Sequence, residues 1–245
     1  MRKQKDLNKR NYAKELDSIT EGLQKEGRVP TLLLQCCCAP CSSACLERLR
    51  EDFHVTVFFY NPNISETLEY EKRKAELVRL IHAYNRQVDE GSYDGMLSTK
   101  RANRIEIRDC NYDGAVFEAA ARGMENIPEG GERCTRCFAL RLEKTAAEAK
   151  KQDFDYFTTT LTISPLKDAD RLNKIGEAMG EKYGIPFLPS DFKKKDGYKR
   201  SIELSKRFGL YRQDYCGCRF SKAETERRRK ERASGESGVT TGAKA

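Results

Sequence analysis

The chain has 245 residues, ten of them cysteine, and its 46 Lys and Arg against 38 Asp and Glu give a formal charge of +8. This length fits one domain with extensions at its ends. No run of about 18 apolar residues occurs, which excludes a hydropathic membrane helix, and the basic start MRKQKDLNKRNYAKEL leads into no apolar stretch, which argues against a secretory leader.

Residues 1–28 hold eight Lys and Arg and five Asp and Glu and read as a polar, weakly helical extension. VPTLLLQ (29–35) is a short apolar run of the kind that forms a buried strand. A helix is expected from Ser42 to Arg50, with Pro40 as the break before it. HVTVFFYNPN (54–63), β-branched and aromatic, reads as a second strand closed by Asn-Pro. Over 65–85 the apolar residues Leu77, Leu80, Ile81 and Tyr84 recur at helical spacing. RQVDE (86–90) reads as a third, short strand. Helices follow near 113–124 and from Thr135 to Lys150, the second introduced by the loop ENIPEGGER (125–133). FDYFTTTLTIS (154–164) reads as a buried strand. SPLKDAD caps a helix at 168–183, and IPFLPSD (185–191) is the last strand-like piece. Around Ile202 and Leu204 a short amphipathic helix is expected. From Lys222 onward the composition turns to charge and then to Ser, Gly and Thr, as in a fraying helix with a disordered basic tail.

Strands alternating with helices predict an open, mostly parallel α/β sheet with helices on both faces. The expected organisation is a single catalytic domain over 29–221, with the extension 1–28 before it and the tail 222–245 after it. Working groups in such sheets sit at the carboxyl ends of strands. The stretch QCCCAPCSSAC (35–45) lies at the end of the first strand and holds five of the ten cysteines. The expected compartment is the cytoplasm, where clustered thiols bind metals or do redox chemistry and seldom persist as disulfides.

Cys37 and Cys38 are adjacent, and Cys134 and Cys137 form a C-x-x-C at the mouth of a helix. Such a helix start turns two thiols toward one point and favours their ionised form. Adjacent cysteines in a strand would face opposite ways, so their joint action requires a strand-to-helix loop, which Pro40 permits. The resulting four thiolates suit a 4Fe–4S cluster; a structural Cys₄ zinc site is the alternative, although zinc sites usually pair two C-x-x-C knuckles. Cys216 and Cys218 form a C-x-C. Gly217 between them allows either a strained, labile disulfide or a two-sulfur grip on a metal. Cys36 and Cys45 read as packing residues, Cys110 as an isolated thiol, and Cys41 as either a neighbour of the cluster or a helix cap. His54 and His82 stand apart from other catalytic residue types and read as structural.

The segment 191–218 interleaves Lys193, Lys194, Lys195, Lys199, Arg200, Lys206, Arg207 and Arg212 with Phe192, Tyr198, Phe208, Tyr211 and Tyr215. Cations for phosphates and rings for unstacked bases suit an RNA site. The expected substrate contacts are Lys193, Lys194, Lys195, Tyr198, Lys199, Arg200, Tyr211 and Arg212. A solvated helix face with aromatic anchors is the plainer alternative.

CCAPCS (37–42), ERCTRCFALRLEKTA (132–146), TTTLTISPLKD (158–168) and DFKKKDGYKRSIELSKRFGLYRQDYCGC (191–218) together resemble the cobalamin-independent epoxyqueuosine reductase QueH family, over about residues 29 to 221. The resemblance implies a Rossmann-like (HUP-like) core and a cytoplasmic enzyme that reduces the epoxide of epoxyqueuosine in tRNA to queuosine. It implies a 4Fe–4S cluster on Cys37, Cys38, Cys134 and Cys137. It further implies that Cys216 and Cys218 are either a redox-active pair or the ligands of a second, mononuclear iron. The partners implied are tRNA carrying epoxyqueuosine in its anticodon loop and an unidentified electron donor, with no membrane. Gln35 stands where the family usually has a histidine, two residues before the CC pair. Proton donors are not named by any motif; Asp191, Tyr198, Asp214 and Tyr215 are candidates, and Ser164 and Lys167 either bind substrate or cap a helix.

Rival readings differ by simple features. A sulfur-transferring tRNA enzyme needs a glycine-rich ATP loop after the first strand, where this chain has Cys-Cys-Ala-Pro-Cys-Ser. A zinc-stabilised RNA-binding module would hold zinc without acid-labile sulfide. A thiol–disulfide oxidoreductase needs only one exposed C-x-x-C.

Overall fold

A computed structural model of the chain describes residues 10–97 and 102–236. Four short strands form one all-parallel sheet: β1 (Thr31–Gln35), β2 (His54–Phe58), β3 (Glu106–Arg108) and β4 (Tyr156–Thr159), in the order β3-β2-β1-β4. β1 is central because it is apolar on both faces, as a strand covered on both sides must be. Leu32, Leu33 and Leu34 are each fully buried. Their alternation divides them: Leu32 and Leu34 enter one core and Leu33 the other. Burial of one such side chain contributes about 1.5–3 kcal/mol.

The first core lies under α1 (Tyr12–Glu26), α2 (Ala39–Leu49), α3 (Thr67–Glu90) and α7 (Gly197–Arg207). The second lies under α5 (Glu132–Lys151) and α6 (Ala169–Tyr183). The short α4 (Gly114–Ala121) and the last helix, α8 (Arg219–Glu236), flank the carboxyl end of the sheet, Phe117 and Phe220 packing edge to face. The expected parallel α/β architecture is thus found. The amino-terminal residues from Tyr12 are helical and anchored, with Leu16 fully buried and Tyr12 donating to Asp170 at 2.8 Å. Among the described residues no helix is long and apolar enough to cross a membrane.

Three expected strands are corrected. Residues 86–90 continue α3, which runs until Gly91 takes a left-handed conformation and returns its N–H to Gln87 and Val88. The third strand is instead 106–108, an edge strand with two of three residues exposed and so without an apolar signature. The run 154–164 is strand only to Thr159, whose hydroxyl then accepts from the Leu161 N–H and starts a 3₁₀ turn over Thr160–Ile163. Residues 185–191 make one bridge, Phe157 to Phe187, because Pro186 and Pro189 have no N–H to extend a ladder. α2 begins earlier than expected, with Pro40 accommodated in its first turn. The helical part of the carboxyl-terminal tail reaches Glu236, and residues 237–245, where disorder is expected, lie outside the described residues.

Candidate active site

The chain leaves β1 at Gln35, whose fully buried amide is saturated: Nε2 donates to Tyr60 O at 3.0 Å, and Oε1 accepts from Thr159 Oγ1 at 2.8 Å. This clasp ties the tips of β1, β2 and β4 together below the cysteine loop. Cys38 then stands at the N-cap of α2, where the chain passes from strand to helix, and the two adjacent side chains do not diverge as in a strand. Their sulfurs stand 3.7 Å apart. Cys41, one turn into α2, joins them, and the three Sγ atoms lie within 4.8 Å of one another. The bonds donated by Cys38 and then by Cys41 hold Cys37 well below the usual thiol range, against the effect of burial. The same bond to Cys37 pushes Cys38 up to about 12, and Cys41 also rises. Of the trio, Cys37 is therefore the sulfur most favoured to ionise, at the amino end of a helix where an anion is favoured.

Cys134 and Cys137 occupy the opening turns of α5. Cys134 Sγ accepts from the Gly130 N–H at 3.3 Å, and burial pushes Cys137 up to about 12. These two line a tight cavity of about 20 Å³ together with Cys216 and Cys218. The C-x-C segment is held by borrowed partners. Arg73 Nη1 donates to Cys216 O at 3.1 Å, Ser221 Oγ accepts from the Cys216 N–H at 3.0 Å, and the Ser65 N–H donates to Gly217 O at 3.1 Å. Gly217 sits at φ +122, a conformation that favours glycine, and a Cβ there would meet Ile64 at 2.9 Å. Burial pushes Cys218 up to about 12.

An adjoining cavity of about 230 Å³ is lined by Cys37, Cys41 and Cys216 with Arg141, Lys167, Tyr198 and Arg212. Cys216 and Lys167 line both cavities, so the three cysteine groups border two adjoining cavities. Burial acts to depress Lys167, but the facing Cys216, Cys37 and Cys41 outweigh it and keep its ammonium charged. All ten cysteines are free thiols.

Three buried arginines stand around the thiols. Arg141 is 1 % exposed, gives one Nη2 bond to Asn61 Oδ1 at 2.6 Å, and leaves its buried Nε without a partner. Arg133 bonds the Met124, Glu125 and Ile127 carbonyls and leaves its Nε bare. Arg73 pairs with Glu69 at 2.6 Å and leaves Nη2 bare. A buried cation is costly without a nearby anion. Clustered thiols, of which Cys37, Cys38 and Cys41 stand within 4.8 Å of one another, and orphaned guanidinium N–H groups fit a negatively charged, sulfur-ligated metal group.

The expected substrate contacts separate into two sets. Tyr198 and Arg212 line the 230 Å³ cavity, Arg212 donating to Ser205 Oγ at 2.9 Å. The other six lie elsewhere. Arg200 grips Glu47 at 2.6 and 2.8 Å, and Lys195 pairs with Asp17. Tyr211 donates to Glu69 at 3.2 Å. Lys193 pairs with Asp191 at 3.0 Å and, with Lys194, lines a third cavity of about 370 Å³ between α1 and α6, which Lys167 also borders. Lys199 is exposed on α7. Of the proton-donor candidates, Tyr198, Asp214 and Tyr215 line the cysteine cavity, and Asp191 lines the 370 Å³ one. Cys36 and Cys45 are core residues, Cys110 donates to Phe59 O at 3.1 Å, and both histidines are exposed. Sequence reasoning passed over Arg141, although it follows Cys137 by four residues and so shares its helix face. Gln213 and Arg228, also in the cavity wall, carry no such signal.

The family model described as "Epoxyqueuosine reductase QueH" matches residues 32–224. The chain belongs to the epoxyqueuosine reductase QueH family. Three relatives bearing the name Epoxyqueuosine reductase QueH give the scale of similarity. That of Streptococcus pyogenes serotype M1 is 37 % identical over 86 % of this chain and 78 % of its own. That of Staphylococcus epidermidis is 36 % identical over 86 % and 84 %, and that of Thermotoga maritima 38 % identical over 79 % and 91 %. The QueH match contains every cysteine of the two cavities and ends inside α8.

Proposed function

We propose that this protein, an oxidoreductase, reduces epoxyqueuosine to queuosine in tRNA. The observation that carries the reading is the meeting of thiols from three distant segments, 37–41, 134–137 and 216–218, around two adjoining cavities inside a QueH-family chain. In this reading Cys37, Cys38, Cys134 and Cys137 hold a 4Fe–4S cluster. Cys216 and Cys218 act as a redox pair or hold a second iron, alternatives that an iron count distinguishes. Cys41 lies close enough to the first pair to replace one ligand. When bound, the cluster supplies electrons singly, which no side chain does.

The reaction takes up two electrons and two protons, breaks both C–O bonds of the epoxide, forms a C=C bond and releases water. The chain's own residues set the stage for it. Tyr198 offers a ring at the cavity wall for the splayed base, and Arg212 a positive charge for its phosphate. The Lys167 ammonium, facing the thiols, donates N–H to the oxygen as charge develops there. Buried Arg141 offsets negative charge at Cys37. Cys218 and Cys137, nearly closed to solvent, keep water from the inner cavity. Electrons come from an outside donor, and the setting is the cytoplasm.

The test is anaerobic incubation of iron-replete protein with a strong reductant and tRNA carrying epoxyqueuosine, read by nucleoside mass spectrometry. Appearance of queuosine is the expected result. Unchanged epoxyqueuosine from protein that retains iron and sulfide refutes the reading.

A further inference from the structure

α8 begins where the C-x-C ends, and its first turns are built into the site. Ser221 Oγ donates to Glu129 at 3.1 Å, the Glu129 N–H donates to Glu224 at 3.2 Å, and Lys222 pairs with Glu66. Thr225 and Arg228 line the 230 Å³ cavity. Helical spacing from Thr225 places Arg228, Arg229 and Arg232 on the same face, at i+3, i+4 and i+7. Arg229 reaches Asp214, another wall residue of the cavity. A cationic stripe thus starts inside the pocket and runs outward along the helix, flanked by Arg227 and Lys230. Five of the six residues 227–232 are basic.

Among the described residues, the stripe beyond its root meets only its own helix, Arg227 pairing with Glu231 at 3.7 Å. Residues 226–234 are all exposed, and Ser221–Glu236 contains no large apolar residue. A helix without aliphatic or aromatic anchors is ill suited to a protein groove. It is well suited to a chain of phosphates, which need charge alone. A nucleotide splayed into the pocket carries a phosphate on each side, and Arg228, which lines the cavity while its side chain stays half exposed, is placed to meet one of them.

We propose that α8 is a docking strip for the phosphate backbone of tRNA, guiding the strand that flanks the reacting nucleotide. The inference rests on the tRNA reading above. It adds a surface that lies largely outside the family match, which ends at residue 224.

The test is a triple variant, Arg227→Gln, Lys230→Gln and Arg232→Gln, none of which lines the cavity; glutamine keeps helix propensity. Its control is Lys25→Gln, Lys150→Gln and Lys151→Gln, an equal charge loss on exposed residues in the last turns of α1 and α5, where the chain enters the sheet. Binding of unmodified tRNA is measured against salt. The α8 variant is expected to lower the slope of log K against log salt by about 2 and to weaken binding about tenfold or more at low salt, with the control near wild type. Iron content, and the rate at saturating modified anticodon stem–loop, should stay at the wild-type level. Equal slopes for the α8 variant and wild type overturn the inference while leaving the enzyme reading intact. Loss confined to electron delivery from an acidic carrier protein, with tRNA binding unchanged, also overturns it and makes α8 the carrier's dock. Wild-type protein that binds no tRNA removes the enzyme reading and the inference together.

Discussion

The thiols at the tip of β1 and those of the C-x-C are held in different ways. Cys37, Cys38 and Cys41 are placed by main-chain architecture: a central strand, a saturated Gln35 clasp and the first turn of a helix. Cys216 and Cys218 lie in no regular element before α8 and are held by Arg73, Ser65 and Ser221, which come from three other places in the chain. The first group is rigid because the sheet is rigid. The second is rigid only while its braces hold, and a site that must change redox state or admit substrate gains from such a mount.

Substitutions separate the two mounts. Cys134→Ser is expected to lose iron, acid-labile sulfide and activity together, the activity by at least about a hundredfold. Retention of full iron would remove Cys134 from the ligand set. Cys216→Ser should lose comparable activity while keeping most of its iron; full activity in that variant would end the redox role of the C-x-C. Gly217→Ala forces a Cβ against Ile64 in a conformation hostile to it. It should cost about 1–3 kcal/mol, at about 2–4 °C of melting temperature per kcal/mol, and reduce activity with iron retained. An unshifted melting curve would mean that the segment relaxes freely. Tyr198→Ala removes a ring from the cavity wall and should raise KM about tenfold with kcat little changed. A fall in kcat alone would give Tyr198 a part in the chemistry instead. The smallest effect is expected for Cys36→Ala, in the core beside the reactive thiols but facing away from them, with iron and activity near wild type.

The same contrast explains what was legible in the sequence. TLLLQ announces a doubly covered strand, and a proline two residues after CCC announces a turn into a helix, so the first cysteine group could be placed by pattern alone. Cys134 and Cys137 followed from the C-x-x-C at a helix start. The bracing of Cys216 and Cys218 could not be read, because Arg73 and Ser65 lie some 140 residues or more earlier and carry no local signal. Lysines and arginines of 193–212 were grouped by composition, yet folding divides them: Arg200 turns inward to Glu47 while Arg212 turns to the cavity. Charge density shows that cations are present, and only tertiary packing decides which of them remain available. The edge strand 106–108 was missed because it needs no apolar pattern, and 86–90 was misread because its helix ends at a glycine beyond the periodic residues.

The wide separation of the thiols along the chain bears on biosynthesis. Roughly 180 residues lie between Cys38 and Cys216. At about 5–20 residues per second, the second pair follows the first out of the ribosome by on the order of 10–40 s. During that interval Cys37 and Cys38 are a vicinal dithiol without their later neighbours, at risk of oxidation. A cluster that takes sulfur from both 37–38 and 134–137 can be inserted only after α5 has packed against β1, so maturation must wait for a long-range contact that forms slowly. Yield of active protein should therefore depend on how long the nascent chain is kept reduced as well as on iron supply.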